Sequence, residues 1–312
     1  MSVERPWRVT RCHYLWSREH EPALSVKPGA TIEFELPDPS DGQLTPTSTA
    51  GDIPGLDWER IPPLVGPVVV EGAEPGDALQ VTVRDLVPSR WGWTANLPDF
   101  GLLCEDFPEA ELKVWRLDPV TLVPAEFAPG IHVPLKPFLG TMGCSPAKEG
   151  RYDALPPRSV GGNLDLRDCS VGSVLWLPVE VAGALFSCGD AHAAQGDGEV
   201  CGTAIETGMT AGLQLDLVKA ARLRLPRFEV STPVTRHLDG RGYDVTMGIG
   251  SDLMEAARTA VREMIDRLAA TRGLSRVAAY LLCSVCADLR ISEIVDRPSW
   301  VVSLYLPKVI FD

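Results

Sequence analysis

The sequence predicts a mainly β protein, with a sandwich- or barrel-like body and a smaller α/β C-terminal part. Three observations carry this. Short apolar stretches alternate with polar residues at period two. Dense punctuation, 28 Gly and 27 Pro in 312 residues, separates those stretches at the close spacing of all-β folds. Helical periodicity is confined to the last quarter of the chain.

Taken in order, Ala30-Thr31-Ile32-Glu33-Phe34-Glu35-Leu36 alternates cleanly after the turn Lys27-Pro28-Gly29 and reads as a half-buried strand. Residues 66–72 (GPVVVEG) form the next strand. The turn Glu74-Pro75-Gly76-Asp77 then leads into a strand over 78–84, and Val174–Val181 is a fourth. Ser251-Asp252 caps a helix that runs to about Thr271 and stops at Gly273. Leu253, Met254, Ala257, Val261, Met264, Ile265 and Leu268 give it one apolar face. Ser275 caps a second helix to about Cys286, and residues 300–306 close the chain as a strand. The predicted division is 1–235 for the β body, carrying the active-site loop, and 236–312 for the α/β part packed on it.

Forty-two acids against 29 Lys+Arg give 29 − 42 = −13. Nucleic acid is excluded as a partner, because backbone neutralisation requires clustered Lys and Arg. Apolar runs are short and interrupted, which excludes a helical membrane span. The segment 1–6 lacks the apolar core of a secretory signal. The expectation is a soluble, cytoplasmic protein. Eight scattered cysteines do not form a disulfide framework, and Cys283-x-x-Cys286 sits in an apolar helical stretch where buried thiols are expected.

Chemistry concentrates between 161 and 206. Gly161-Gly162-Asn163-Leu164-Asp165 opens the region; Asp190 to Glu199 then holds two Asp, one Glu, one His and one Gln, with no positive charge. Such a run is poor core material, and its carboxylates repel one another unless they are solvated or share a cation. On extended backbone, residues two apart face the same side, so Asp190 and His192 can present an oxygen and a nitrogen to one metal ion. Asp165 is a third candidate ligand. Glu199 is either a ligand or the base that takes a proton from water held at the metal. Asp38, Asp41 and Gln43 form a second polar knot that reads as a turn after a strand. The histidines at 13, 20, 132 and 237 read as loop or covering residues.

At this cluster the chain resembles the acetamidase/formamidase family, and the resemblance runs through nearly its whole length. The segments that carry it are 38–43 (DPSDGQ), 66–77 (GPVVVEGAEPGD), 161–165 (GGNLD), 178–200 (PVEVAGALFSCGDAHAAQGDGEV) and, near the end, 279–282 (AYLL) with 288–291 (DLRI). The resemblance implies hydrolysis of short linear amides, such as formamide or acetamide, to ammonia and the carboxylate. It also implies a mainly β fold, a divalent metal, and a homodimer. Its pattern carries over to Asp165, Asp190, His192, Gln195 and Glu199. The resulting assignment gives Asp165, Asp190 and His192 to the metal and Glu199 to proton transfer. Asp38, Gln43, Asn163, Gln195 and Asp197 are assigned to substrate binding or ligand support. Zinc is the first choice of ion, with calcium or another divalent ion as alternatives. Two departures stand out. Asp41 replaces a usually small residue, and the region around Trp91-Gly92-Trp93 and Asn96-Leu97 is specific to this sequence, a place where substrate shape is set.

Three rivals remain at this level. One is hydrolysis of another small amide or a lactam. A thiol amidase would use Cys144 with Lys148 four residues on. A non-enzymatic β-sandwich would bind calcium or a sugar through acidic loops.

Overall fold

The computed structural model describes residues 7–312; the leader expectation for 1–6 lies outside them. The fold is mainly β. One six-stranded sheet runs, edge to edge, Trp7–Val9, Ala30–Leu36, Met209–Val218, Ala78–Pro88, Val174–Pro178 and Arg227–Glu229, and only its first pairing is parallel. A second runs Gly161–Asn163, Phe138–Gly143, Phe186–His192, Leu64–Val70 and Cys12–His13, with Leu24–Val26 parallel to Leu64–Val70.

Alternation explains how these sheets meet. Ile32, Phe34, Leu213, Leu215, Val81 and Leu175 point from the first sheet into one apolar cluster. Val65, Val68, Leu139 and Phe186 enter the same cluster from the second. Each such side chain, removed from water, contributes about 1.5–3 kcal/mol before entropy is charged against it.

The C-terminal segment contributes a three-stranded antiparallel sheet, in the order Tyr243–Gly250, Trp300–Pro307 and Asp288–Glu293. Helix α1 (Leu253–Arg272) and helix α2 (Arg276–Cys286) accompany it. Asp252 caps α1 by accepting the Glu255 N–H at 2.9 Å, and left-handed Gly273 ends it. Ser275 caps α2 through the Ala278 N–H at 3.2 Å. The apolar face of α1 is as read, with one exception. Met254 is 53% exposed, while its first-turn neighbours Leu253 and Ala256 already pack on the core. The helices pack with Leu103, Trp115, Ile131 and Val133, so this cluster joins the C-terminal segment to the middle of the chain. All eight cysteines are free, and Cys283 and Cys286 are buried in α2. No helix among the described residues is long and apolar enough to cross a membrane.

Candidate active site

The sequence does not predict the strand Phe186–His192, whose Gly/Asp-rich end reads as poor core material. Every residue in it is nevertheless buried. The reason is backbone pairing on both sides, to Phe138–Gly143 and to Leu64–Val70, which satisfies its amides without water. The strand ends at Asp190 and His192. His192 Nε2 lies 3.2 Å from Asp190 Oδ1 and 2.9 Å from Glu206 Oε2. His192 is 1% exposed and Glu206 3%. Two overlapping sets of ligand atoms share the imidazole: Asp190, His192, Glu206 and Asp165, His192, Glu199. Within each set the atoms lie within 4.8 Å of one another.

Supporting bonds fix this arrangement. Asn163 Nδ2 donates to Asp165 Oδ2 at 3.0 Å, and Thr141 Oγ1 donates to Asn163 Oδ1 at 2.7 Å. Gln195 Nε2 donates to the Asp165 carbonyl at 3.0 Å, which turns Gln195 Oε1 toward His192 Nδ1, also 3.0 Å away. That oxygen accepts only from an Nδ1–H, so the lone pair of the neutral imidazole sits on Nε2, facing the carboxylates. The Phe138 ring meets the imidazole edge to face at 5.0 Å. Ala204 N–H donates to Glu206 Oε1 at 2.7 Å, leaving Oε2 for the cluster.

Asp165 Oδ1, His192 Nε2 and Glu206 Oε2 are buried without an aligned hydrogen-bond partner. Orphaned buried donors and acceptors are costly, about 1–3 kcal/mol each, so three of them within two ligand sets that share one imidazole mark a ligand site. Gly140, in strand Phe138–Gly143, lies against the same point. A Cβ there would stand 2.5 Å from both Asp165 Oδ1 and Asp190 Oδ2. Asp165, Asp190 and Glu199 all have φ between 42° and 53°, left-handed conformations that cost energy in a non-glycine residue and concentrate at functional sites.

The electrostatics of the cluster follow from burial and from like charges held together. Burial first, then the Asp190 charge, pushes the Asp165 carboxyl up to about 8. Burial and the Asp165 charge hold Glu199 well above the usual carboxylate range, and Glu206 is raised by burial against the pull of His192. Burial lowers the basicity of His192, but the Glu206 and Asp190 carboxylates outweigh it and raise the imidazole well above its ordinary value. A divalent cation fits this oxygen-and-imidazole set.

Above the cluster opens a cavity of ≈160 Å³. Its floor is Asp165, Asp190, Glu199 and Glu206 with Asn163 and Thr203; its walls include Trp58, Trp93, Leu97, Phe100, Ile61 and Leu155.

The structure thus brings together Asp165, Asp190, His192, Glu199, Asn163 and Gln195. Three sequence candidates are placed elsewhere. Asp38 accepts from the Ser40 N–H (3.0 Å), the Gly42 N–H (3.0 Å) and Trp93 Nε1 (3.1 Å), so it holds a turn and the indole of a cavity wall. Gln43 clamps the backbone of Asp57 through both amide atoms, at 2.7 and 3.2 Å. Asp197 turns away to Arg167 Nε at 3.2 Å. The turn reading of 38–43 holds, and Asp38 in addition supports the cavity wall through the Trp93 indole. Glu206 closes the polar stretch 161–206 in the sequence but is given no role there, since an acid between Ile205 and Thr207 carries no spacing signal; the structure sets it against His192. Gly140 carried no signal at all. The thiol alternative is contradicted. Cys144 is fully buried in the inter-sheet core, burial pushes its thiol far up, and Lys148 is exposed.

The family model of the acetamidase/formamidase family matches residues 3–152 and 151–312. The chain belongs to this family. It is 28% identical to a formamidase of Methylophilus methylotrophus, over 99% of this chain and 92% of that protein. It is 30% identical to an acetamidase of Mycolicibacterium smegmatis, over 66% of each. Among solved structures it is similar to a gamma lactamase from Delftia acidovorans, with TM-score 0.89 and 28% identity over 96% of this chain and 89% of that one. It is also similar to an acetamidase from Bacillus halodurans, with TM-score 0.68 and 30% identity over 96% of both chains. Family membership makes the chain an amidohydrolase.

Proposed function

We propose that the protein is a metal-dependent hydrolase of linear primary amides, releasing ammonia and a carboxylate. The observation that carries this is the pair of buried ligand sets that share His192, with Asp165 Oδ1, His192 Nε2 and Glu206 Oε2 unpaired, beside a cavity lined by Asp165, Asp190, Glu199 and Glu206 in an amidohydrolase chain. Asp190, His192 and Glu206, with Asp165, would hold the ion. When bound, a divalent ion of this kind polarises a carbonyl and lowers the pKa of water.

The chain's own residues do the rest. Gln195 fixes the tautomer and direction of His192; Asn163 and Thr141 fix Asp165. Glu199, at the cavity floor with a raised proton affinity, takes a proton as water oxygen bonds to the amide carbon. It then delivers that proton to the nitrogen as the C–N bond breaks. The amide nitrogen is a poor leaving group, so the second transfer matters as much as the first.

A lactam is the second reading, supported by the higher TM-score against the gamma lactamase than against the acetamidase. Both readings share the machinery. The test is ammonia release from formamide and acetamide, with ring opening of a γ-lactam in parallel, before and after chelation. Activity lost on chelation and restored by zinc supports the proposal; undiminished activity after removal of all metal overturns it.

A further inference from the structure

We infer that the preferred amides carry a bulky apolar acyl group, up to the size of a benzene ring, seated against Trp58, Phe100 and Trp93. The inference rests on the primary-amide reading above, since ammonia as leaving group leaves only the acyl side to meet the wall. Formamide and acetamide would leave most of that wall untouched. The cavity is ≈160 Å³, and an apolar cavity of about 150 Å³ is large enough to hold benzene.

Its walls are placed, not incidental. The Trp93 backbone is tied to Glu206 by a reciprocal pair of hydrogen bonds, 2.9 and 2.8 Å, and its indole to Asp38. Trp93 therefore stands at a fixed position beside a floor carboxylate. The Phe100 ring lies over Gly202, where a Cβ would fall 2.4 Å from the ring, three residues from Glu199. Trp58 meets Phe100 with ring centroids 6.4 Å apart, and these two form the rim, 44% and 39% exposed. An aromatic rim left half in water above a polar floor gains from an apolar group that completes its burial. Binding energy from that remote part of the substrate holds the carbonyl against the floor.

The test is kcat/KM for ammonia release across formamide, acetamide, butyramide, isobutyramide and benzamide, in the wild type and in Trp58→Ala, Phe100→Ala and Trp58→Phe. Burial of one methylene corresponds to about a fourfold gain. The wild type should climb roughly fourfold per carbon, and the butyramide-to-acetamide ratio should fall toward one in both alanine variants and hold in Trp58→Phe. Because the readout is a ratio within one enzyme, a partly unfolded variant does not distort it. A wild-type series that declines from formamide, or a ratio unchanged in both alanine variants, overturns the inference and leaves the amidase reading standing. Ammonia from no member of the series overturns that reading, and the inference with it.

Discussion

Replacing Gly140 by Ala is the sharpest perturbation of the site that leaves every polar group in place. The new methyl would stand 2.5 Å from Asp165 Oδ1, 2.5 Å from Asp190 Oδ2 and 3.0 Å from the Asp190 carbonyl. Ordinary contact needs about 3.5–4 Å between heavy atoms, so each carboxylate has to retreat by about 1 Å. The clashing atoms are mainly ends of side chains, and the expected stability loss is that of modest overpacking, about 1–3 kcal/mol. The functional loss is larger. Metal–ligand distances tolerate only about 0.2 Å, and a misplacement of about 1 Å costs on the order of 100-fold in rate. Zinc titration of chelator-stripped protein and ammonia release should each show a fall of about 100-fold, while circular dichroism shows a folded chain. Wild-type zinc affinity in a folded Gly140→Ala protein would refute the claim that Asp165 and Asp190 act on one ion.

Four further outcomes follow from the geometry. Glu206→Gln keeps the acceptor for Ala204 N–H but removes the charge facing His192; bound metal, by elemental analysis, should fall with turnover, and unchanged metal content would exclude Glu206 as a ligand. Asp288→Ala takes the two-pronged partner from Arg167, which is 3% exposed and keeps only Asp197 and Asp168 at its Nε; thermal or urea unfolding should show a loss of about 1–3 kcal/mol, and no measurable loss would count against the pair as a structural tie. Thiol alkylation of native protein should leave ammonia release intact, since Cys144 is buried with its thiol pushed up; inactivation tracking Cys144 labelling would revive a thiol mechanism. His13 is lowered to about 4, by burial first and then by His20. Its unfolded form binds more protons between about pH 4 and 6.5, so stability present above pH 6.5 is lost as pH falls, on the order of 2–3 kcal/mol. His13→Gln should flatten that part of the urea-unfolding pH profile, and an unchanged slope would contradict the assignment.

Local periodicity carried much of the fold. Ala30–Leu36 and α1 follow from side-chain alternation and from caps within a few residues, and the structure places them almost as read. The strand Phe186–His192 did not follow, because its burial comes from neighbours distant in sequence that pair with a Gly/Asp-rich backbone. The same distinction runs through the site. Asp190 and His192 were legible from a two-residue spacing, and Glu199 from its place in the loop. Glu206 and Gly140 reach the cluster only through tertiary folding, one as a charge and the other as the absence of a methyl. Asp38 and Gln43 act through neighbours distant in sequence, Asp38 on the Trp93 indole and Gln43 on the Asp57 backbone, partners that no local pattern names. Trp93 and Leu97, marked in the sequence as the place where substrate shape is set, do line the cavity.

His192, flanked by carboxylates, is proposed to hold a cation needed for amide hydrolysis. The most direct test is the metal content of purified wild type and His192→Ala, measured alongside ammonia release from the same samples. Active wild type should carry a divalent ion, and the variant should lose it together with turnover. Full turnover in His192→Ala, or turnover in wild-type protein carrying no metal, would contradict the proposal.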